Sequence, residues 1–297
     1  MNPNAPDFRA GFVCIVGKPN AGKSTLLNAL LDYKLAIVTP KAQTTRHRIA
    51  GVLTEGHFQM VFVDTPGVTL PNDPLREALL RAVKAALREA DALLLLAAPD
   101  ERFSEDLLAE LAASFSGPVV LAVNKTDLTT PDHYAERVGQ WRERLPGLRH
   151  AVGISALLRS GFDDLKAALL DCLPPGPPFY DPDELTDRPE RFFVAELIRE
   201  QLFLHLEDEL PYQTEVQIVL FDEAAQPLRI EADIHVARRS QKMIVIGQGG
   251  GMLRRVGTAA RREIEKLLER PVFLGLHVRH TPDWDQQATR LRRFGYE

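Results

Sequence analysis

The chain has 297 residues, of which 45% are apolar and 26% charged, and its formal net charge is −5. These values exclude a fibrous or disordered protein and leave room for two domains with separate cores. There is no apolar run of about 18 residues and no basic region followed by an apolar core at the N-terminus, so we expect neither a membrane-spanning helix nor a secretory signal. Cys14 and Cys172 lack CxxC or Cys/His spacing, which favours small buried side chains and a reducing compartment.

Short apolar runs alternate with amphipathic segments in the first half of the chain. The apolar runs are residues 12–16, 59–63, 92–97, 119–123 and 151–154, and helical periodicity is found at 75–90, 106–115, 133–145 and 162–173. Near-continuous apolar strands between helices predict an α/β domain, a mostly parallel sheet with helices on both faces. Ligands of such sheets bind at the carboxyl ends of the strands.

A segment rich in Pro and Gly, residues 173–183, interrupts this alternation. It predicts a stiff linker, drawn here as residues 173–189, and divides a domain at 1–178 from a second at 179–297. The second domain has helical patterns at 190–206 and 252–269, strand patterns at 215–221, 228–237 and 272–278, and a closing helix. That order predicts a smaller α+β domain.

The run GKPNAGKS lies between the first apolar run and a helical stretch, which is the context of a phosphate-binding loop. Glycines let successive backbone N–H groups cradle phosphates at a helix N-terminus, the Lys reaches the outer phosphates, and the hydroxyl binds Mg²⁺. The predicted nucleotide-binding residues of this loop are Gly17, Asn20, Ala21, Gly22, Lys23, Ser24 and Thr25.

Guanine is predicted by the sequence NKTD, which follows the apolar run 119–123. In the GTPase pattern the Asp127 carboxylate accepts hydrogen bonds from N1–H and the 2-amino group of guanine, whereas adenine would leave it unpaired. Asn124 is expected to brace the phosphate loop, and the aliphatic stem of Lys125 to cover the base. Ser155 and Ala156, after another strand, match the loop whose backbone N–H meets O6 of the base.

DTPG follows the apolar run 59–63. An Asp at a strand end suits the carboxylate that holds Mg²⁺ through water, so Asp64 joins Ser24 as a predicted metal residue, and the Gly67 N–H suits the γ-phosphate. The next residue is Val68, where many signalling GTPases have a Gln that orients the attacking water. Because a valine side chain cannot hydrogen-bond to water, we expect slow hydrolysis without a partner and assign no side-chain base.

The switch that senses the γ-phosphate is expected in KAQTTRHR, residues 41–48. A threonine there would bind Mg²⁺ in the GTP state, and the residues alone leave Thr44 and Thr45 open. Related GTPases have Thr-Arg here, and that similarity implies Thr45. Lys23, Thr45 and Gly67 are then the expected phosphate and transition-state contacts. Asn20 is similar to a residue in GTPases that bind K⁺ at the phosphates, which makes K⁺ a further hypothesis.

The second domain has an uneven charge distribution. Residues 181–237 contain 4 Lys and Arg against 15 Asp and Glu, whereas residues 238–294 contain 13 against 5. A basic surface of this kind on an acidic chain favours a nucleic-acid partner. The sequence GQGG opens the basic helix, and glycines there would let backbone N–H groups approach an RNA chain closely. The predicted RNA-binding residues are Lys242, Gly247, Gln248, Gly249, Gly250, Arg254 and Arg255.

These motifs together resemble the Era family of bacterial GTPases over nearly the whole chain. The matching segments, in the family's order, are GKPNAGKS, KAQTTRHRI, VDTPG, NKTD, ISA, TDRPERFFVAELIRE, ELPY and SQKMIVIGQGG. The resemblance implies a P-loop GTPase domain followed by a type II KH domain, with residues 240–246 helical although their apolar residues would also suit a strand. The loop departs from the family at Gln248 and Gly249, where a Lys is common in KH loops.

The resemblance also implies partners and a location. It implies GTP or GDP and Mg²⁺ as ligands, single-stranded RNA near the 3′ end of the small-subunit ribosomal RNA as partner, and a role in rRNA processing and small-subunit assembly. A cytoplasmic monomer, loosely associated with the inner membrane surface, is the corresponding expectation. The alternative is an RNA-binding assembly scaffold with GTP as a structural ligand. A tRNA-modifying GTPase is not supported, because the sequence has no cysteine-rich C-terminus.

Overall fold

The computed structural model describes residues 8–69, 73–145 and 147–296. Contacts divide these residues into two compact units. The first contains residues 8–36, 45–69, 76–145 and 147–187, and the second contains Ile37–Thr44, Asp73–Leu75 and residues 188–296. The short segment Ile37–Thr44 therefore groups with the C-terminal unit although it lies early in the chain.

The first unit is built on a six-stranded sheet. Its strands are β1 (Arg9–Val16), β2 (Ile49–Glu55), β3 (Phe58–Asp64), β4 (Ala92–Ala97), β5 (Val119–Val123) and β6 (Leu148–Gly153), in the spatial order β2-β3-β1-β4-β5-β6. All neighbouring pairs are parallel except β2 and β3. The helices are α1 (Lys23–Leu31), α2 (Pro74–Glu89), α3 (Glu105–Ser114), α4 (Pro131–Arg144) and α5 (Phe162–Cys172). This is the predicted mostly parallel α/β sheet.

The inner strands of the sheet are buried because helices cover them, whereas the edge strand β6 has no fully buried residue. Every residue of β3, β4 and β5 is buried, and each fully buried Val or Leu side chain contributes about 1.5–3 kcal/mol. Side chains of four strands pack with those of the covering helices in one cluster that includes Cys14, Val63, Leu95, Leu121, Val83, Leu107 and Trp141. This core holds the carboxyl ends of β1, β3 and β5 rigidly at one edge.

The second unit has a three-stranded sheet covered by helices. Its elements are α6 (Glu190–His205), β7 (Thr214–Asp222), β8 (Leu228–Val236), α7 (Arg239–Ile246), α8 (Gly251–Leu268), β9 (Val272–His280) and α9 (Ala288–Arg293). β7 and β8 are antiparallel, and β8 and β9 are parallel. Val256, Ala260 and Ile264 are the buried residues of α8 and lie four residues apart, which gives this helix one apolar face.

Residues 240–246 are helical, as the family resemblance implied. Only Gln241 and Val245 of α7 are buried, and a spacing of four places both on one side of a helix. Met243 and Ile244 are exposed on this helix, so only part of the apolar run contributes to the core.

The predicted linker is attached to the first unit over part of its length. The backbone N–H groups of Phe179 and Tyr180 donate to Gln59 Oε1 at 2.7 and 3.0 Å, and Gln59 Nε2 donates to the Tyr180 carbonyl oxygen at 2.9 Å. The Phe179 ring lies 4.9 Å from the Phe12 ring. The grouping of contacts changes between residues 187 and 188, inside the predicted linker; the domain limits at 178 and 179 stay a prediction.

Both cysteines are free thiols. Cys14 is buried, and burial raises the pKa of its thiol to about 12. Cys172 is only partly buried, so the expectation of two buried cysteines is correct for Cys14 alone. In the described ranges, no helix is long and apolar enough to cross a membrane.

Candidate functional site

The phosphate loop joins the end of β1 to the start of α1. Gly22 has φ +102°, and a Cβ built there would lie 2.3 Å from Asn124 Nδ2, so only glycine fits this position. Asn20 also has a positive φ, of 63°. The loop leads directly into α1 at Lys23, where the first N–H groups of the helix favour an anion. Ala21 of the loop is buried, and Thr25 follows in the first turn of α1.

Lys23 lies inside this loop. Its Nζ donates hydrogen bonds to the carbonyl oxygens of Gly17 and Lys18, at 2.9 and 3.0 Å. Burial lowers the pKa of the ammonium group, while the charge of Asp64 opposes that shift. A buried ammonium held at the centre of a phosphate loop is placed to neutralise phosphate charge.

Ser24, Thr45 and Asp64 meet beside Lys23. Ser24 Oγ lies 2.8 Å from Thr45 Oγ1 and donates to Asp64 Oδ2 at 2.8 Å. Asp64 Oδ1 is buried without a hydrogen-bond partner. Burial raises the pKa of the Asp64 carboxyl to about 6, although Lys23 and Ser24 act in the opposite direction.

These oxygen atoms fit Mg²⁺. An unpartnered buried carboxylate oxygen next to two hydroxyl groups is a hard donor set, and Mg²⁺ commonly binds proteins through one carboxylate together with substrate phosphates. A bound cation would also stabilise the charged form of Asp64 against the effect of burial. Within the described part of the chain, no group of three or more His, Cys, Asp or Glu residues could hold a metal ion by itself.

The two candidate threonines of the switch differ in their contacts. Thr44 Oγ1 lies 2.7 Å from Thr39 Oγ1 and donates to the Lys41 carbonyl oxygen at 2.8 Å. Thr45 Oγ1 instead faces Ser24. The geometry therefore favours Thr45 as the threonine of the metal site, an assignment that the sequence alone left open.

Gly67 and Val68 place the DTPG turn against the phosphate loop. A Cβ built on Gly67 would lie 2.8 Å from the Pro19 nitrogen, and the Val68 N–H donates to the Gly17 carbonyl oxygen at 3.1 Å. The Val68 side chain is 1% exposed and packs in the apolar cluster that contains Cys14 and Val63. The side chain after the turn thus belongs to the core.

The loops after β5 and β6 connect to the phosphate loop through Asn124. Its Nδ2 donates to the Ala21 carbonyl oxygen at 2.8 Å, and its Oδ1 accepts from the Ala156 N–H at 2.9 Å. Lys125 Nζ donates to the Asn20 carbonyl oxygen at 3.0 Å. The bracing role expected for Asn124 agrees with these contacts.

Asp127 is exposed on a short 3₁₀ turn at Thr126–Leu128, where its carboxylate is accessible to a base. The backbone N–H groups expected near O6 have partners within the protein. Ser155 N–H donates to the Ser160 carbonyl oxygen at 3.1 Å, and Ala156 N–H to Asn124. An O6 contact through Ala156 would have to share or replace the latter bond.

In the second unit, the GQGG segment is a 3₁₀ turn between α7 and α8. Gly247, Gly249 and Gly250 all have positive φ, and a Cβ on Gly247 would lie 2.7 Å from Met252 Cβ. No atom lies within 4 Å of a Cβ built on Gly249 or Gly250, so the backbone is open on that side. Gln248, Arg254 and Arg255 are exposed around the turn, and Lys242 is partly buried on α7.

A groove of about 350 Å³ extends from this turn along α8 and β9. Apart from Gly250 and Arg254, its lining was not predicted from the sequence; the other lining residues are Leu253, Gly257, Thr258, Arg261, Leu274 and Leu276. The lining residues of α8 recur every three or four positions, and Leu274 and Leu276 lie two apart on β9. The helical and the strand periodicity are therefore both present in the sequence. The sequence does not show that α8 packs beside β9, and this packing is what forms the groove. Arg255 and Lys242 do not line this groove.

Two protein families match separate parts of the chain. The family described as "50S ribosome-binding GTPase" matches residues 12–125, and the family described as "KH domain" matches residues 209–284. The first covers the strands and loops around Lys23, Asp64 and Asn124, and the second covers the groove.

Relatives match over nearly the full length. GTPase Era of Geotalea uraniireducens is 43% identical over 293 residues, with 98% of both chains covered. GTPase Era of Nostoc sp. is 40% identical over 299 residues, with 98% of this chain and 90% of the relative covered.

Two solved structures of Era also match the chain over nearly its full length. A variant of Aquifex aeolicus Era bound to GDP and AlF4⁻ matches with a TM-score of 0.92 and 36% identity, over 97% of this chain and 99% of that one. A structure of Era in complex with MgGDPNP and nucleotides 1506–1542 of 16S ribosomal RNA matches with the same score, identity and coverage.

Proposed function

Because the chain belongs to the Era family, with a P-loop GTPase domain followed by a KH domain, we propose that it is a GTP-controlled RNA-binding switch. It is a GTPase. Its RNA target in this proposal is single-stranded small-subunit rRNA near the 3′ end, and its role is in rRNA processing and small-subunit assembly. The observation that carries the proposal is the full-length match to an Era that holds MgGDPNP and nucleotides 1506–1542 of 16S rRNA.

The nucleotide half of the proposal rests on the cluster at the phosphate loop. Lys23 would neutralise the outer phosphates, and Ser24, Thr45 and Asp64 would hold Mg²⁺, which supplies charge stabilisation at the β- and γ-phosphates when bound. The Gly67 N–H would contact the γ-phosphate. Asp127, with Lys125 beside it, would select guanine over adenine.

The hydrolysis step lacks a side chain that can orient water at the usual position. Val68 is in the core, so the attacking water would be oriented by backbone groups or by a bound partner. We therefore propose slow intrinsic turnover that small subunits stimulate. We also propose that a K⁺ ion binds near Asn20 at the phosphates. Single-turnover hydrolysis equally fast in sodium and potassium salts would contradict this proposal.

The RNA half of the proposal rests on the groove and its open loop. Gly249 and Gly250 expose backbone to a sugar-phosphate chain, and Arg254 supplies positive charge at the same edge. Leu253, Leu274 and Leu276 offer an apolar wall for unstacked bases. The loop itself contains no charged side chain, so the basic residues of α8 replace the Lys common in KH loops.

Turnover measurements with small subunits test the function directly. We expect GTP hydrolysis to rise when small subunits or the 3′ rRNA fragment are added, and crosslinking of the protein to cellular RNA to map to the 3′ end of 16S rRNA. Unchanged turnover together with retained RNA crosslinks would favour the assembly scaffold with structural GTP. Crosslinks confined to other RNAs would reject the target.

The location and oligomeric state remain predictions. A cytoplasmic monomer with loose attachment to the inner membrane surface is tested by fractionating a cell lysate at low and high salt and by size-exclusion chromatography with light scattering. Salt-released protein in the membrane fraction and the mass of one chain are the expected results.

A further inference from the structure

The groove beside α8 has an arginine near each end. Arg254 lies one helical turn after Gly250, and Arg261 lies seven residues further along the helix, about 10 Å away at 1.5 Å per residue. Gly257 lies between the two arginines and leaves the groove without a side chain there. A Cβ built on Gly257 would lie 3.3 Å from Leu276 Cδ1. The groove therefore continues well beyond the glycine turn, and it ends at a second positive charge.

Glu265 fixes the guanidinium group of Arg261 through one of its nitrogens. Nη1 of Arg261 donates to both carboxylate oxygens of Glu265, at 2.7 and 2.9 Å. Glu265 is itself held by β9, because its Oε1 accepts a hydrogen bond from the Val272 N–H at 3.1 Å. The bonds from Val272 and Arg261 lower the pKa of the Glu265 carboxyl, so it stays charged at neutral pH.

The other two nitrogens of Arg261 are available to a ligand. In the part of the chain that the structure describes, Nε and Nη2 of Arg261 donate to no acceptor. These two N–H groups point in the same direction from one edge of the planar guanidinium group, and such a fork matches two parallel acceptors. Guanine presents N7 and O6 in this way, and cytosine presents N3 and O2. Adenine and uracil do not have two parallel acceptors.

We propose that Arg261, positioned by Glu265, selects a cytosine or guanine base of single-stranded RNA at this end of the groove. The apolar wall formed by Leu274 and Leu276 would pack against the base, and the free fork would donate to its two acceptors. This base preference rests on the proposed RNA binding of the second unit. A phosphate contact by Arg261, the alternative, would favour no base.

The test measures the affinity of fluorescent RNA hexamers for the full-length protein, loaded with a non-hydrolysable GTP analogue and Mg²⁺. The hexamers are hexaadenylate and its variants with one cytosine or one guanine at each of the six positions. We expect at least one position at which cytosine or guanine binds about five- to 150-fold more tightly than adenine, the discrimination of a bidentate contact. Arg261→Ala should abolish this preference. Arg261→Lys, which retains the charge but not the fork, should lose the preference and retain most of the affinity for hexaadenylate.

Glu265→Gln separates positioning from a simple effect of charge. Removal of a negative charge beside the groove would by itself strengthen the binding of every RNA. Positioning of Arg261 predicts the opposite for the preferred hexamer, because the guanidinium group loses its charged partner. We expect the preference to fall about three- to tenfold, although the glutamine Oε1 can still accept the Val272 N–H. In the Arg261→Ala background, the same change should leave the affinities for the preferred hexamer and hexaadenylate in the same ratio.

Two neighbouring residues of α8 provide matched controls. Glu263→Gln removes the same charge from a residue that pairs with Lys266, and Arg262→Ala removes the same charge as Arg261→Ala from an exposed residue that does not line the groove. Neither change should alter the base preference.

The outcomes that would overturn the proposal are distinct from one another. Equal affinity of the wild-type protein for all hexamers, or a preference that survives Arg261→Ala, would contradict base selection by Arg261. Equal loss for every hexamer in Arg261→Ala, with a smaller salt dependence, would indicate a phosphate contact instead. A preference unchanged by Glu265→Gln would contradict the positioning role. Binding of no hexamer would contradict both this proposal and the RNA half of the proposed function.

Discussion

The side-chain amide of Asn124 donates a 2.8 Å hydrogen bond to the carbonyl oxygen of Ala21. Its oxygen accepts from Ala156 N–H, so one buried side chain holds the phosphate loop and the loop after β6 together. Asn124→Ala would leave both groups without this partner, at about 1–3 kcal/mol each if they stay buried. We expect GTP and GDP to lose affinity to the same extent, at least tenfold, in fluorescence titrations. Unchanged affinity for both would contradict the bracing role.

Asp127 is predicted to select the base. Asp127→Asn replaces a double acceptor by a group that suits xanthine better than guanine, so GTP affinity should fall by two or more orders of magnitude while xanthosine triphosphate affinity rises. Competition binding with both nucleotides measures the change. Asp132→Asn is the control: it makes the same change of charge at another exposed aspartate, at the start of α4, and should bind GTP normally. Tight GTP binding by Asp127→Asn would refute the assignment.

Val68→Gln tests whether the missing glutamine alone would account for the proposed slow turnover. The Val68 side chain is in the apolar core, so a glutamine would bury an amide there or force the turn to move. We expect lower thermal stability, by about 1–3 kcal/mol, and no faster hydrolysis. Val68→Ala controls for lost packing and should destabilise the protein without changing the rate. Faster hydrolysis by Val68→Gln would show that the side chain can reach the nucleotide.

The open face of the glycine turn is the predicted RNA contact. Gly249→Asp and Gly250→Asp add a side chain and a negative charge where the structure leaves room, although both positions have positive φ and some strain is expected. RNA affinity should fall at least tenfold in filter binding, with GTP binding intact. Gly139→Asp places the same charge in open space on α4 and should bind RNA normally. Joint loss of RNA and GTP binding in the turn variants would indicate a folding site.

His235 predicts a pH dependence of stability in the second unit. Burial lowers its pKa below the usual 6.5, although Asp233 and Glu215 oppose the shift, and its Nε2 is buried without a hydrogen-bond partner. The unfolded chain therefore binds a proton more readily, and this group's contribution to stability is present above about pH 6.5 and lost as the pH falls below it. His235→Gln cannot take up the proton. Denaturation curves should show a smaller loss of stability for the variant on acidification; identical curves would contradict the assignment.

The sheet of the first unit was predictable because its buried strands are nearly continuous apolar runs. The sequence pattern does not predict β2, which lies at the edge of the sheet and ends in the partly buried residues Thr54 and Glu55. Its hairpin with β3 turns at Gly56 and His57, with φ +51° at Gly56. Antiparallel edge strands of this kind depend on a neighbour more than on their own pattern.

The sequence motifs predict which residues form the nucleotide site, but they do not predict its geometry. Thr44 and Thr45 are adjacent and chemically identical, so only the turn of the backbone decides which hydroxyl faces Ser24. The wall of the groove, including Thr258 and Leu276, depends on how α8 packs against β9. A local sequence pattern does not predict such contacts between elements that are distant in the chain.

Control of RNA binding by the nucleotide state is tested by one pair of affinities. The dissociation constant of a fluorescent RNA with the sequence of the 16S rRNA 3′ end is measured for the protein loaded with a non-hydrolysable GTP analogue and with GDP, both with Mg²⁺. A switch predicts that the GTP-analogue form binds at least fivefold more tightly than the GDP form, within the usual range of coupling between sites. Equal affinities in the two states would contradict the proposed control of RNA binding by the nucleotide.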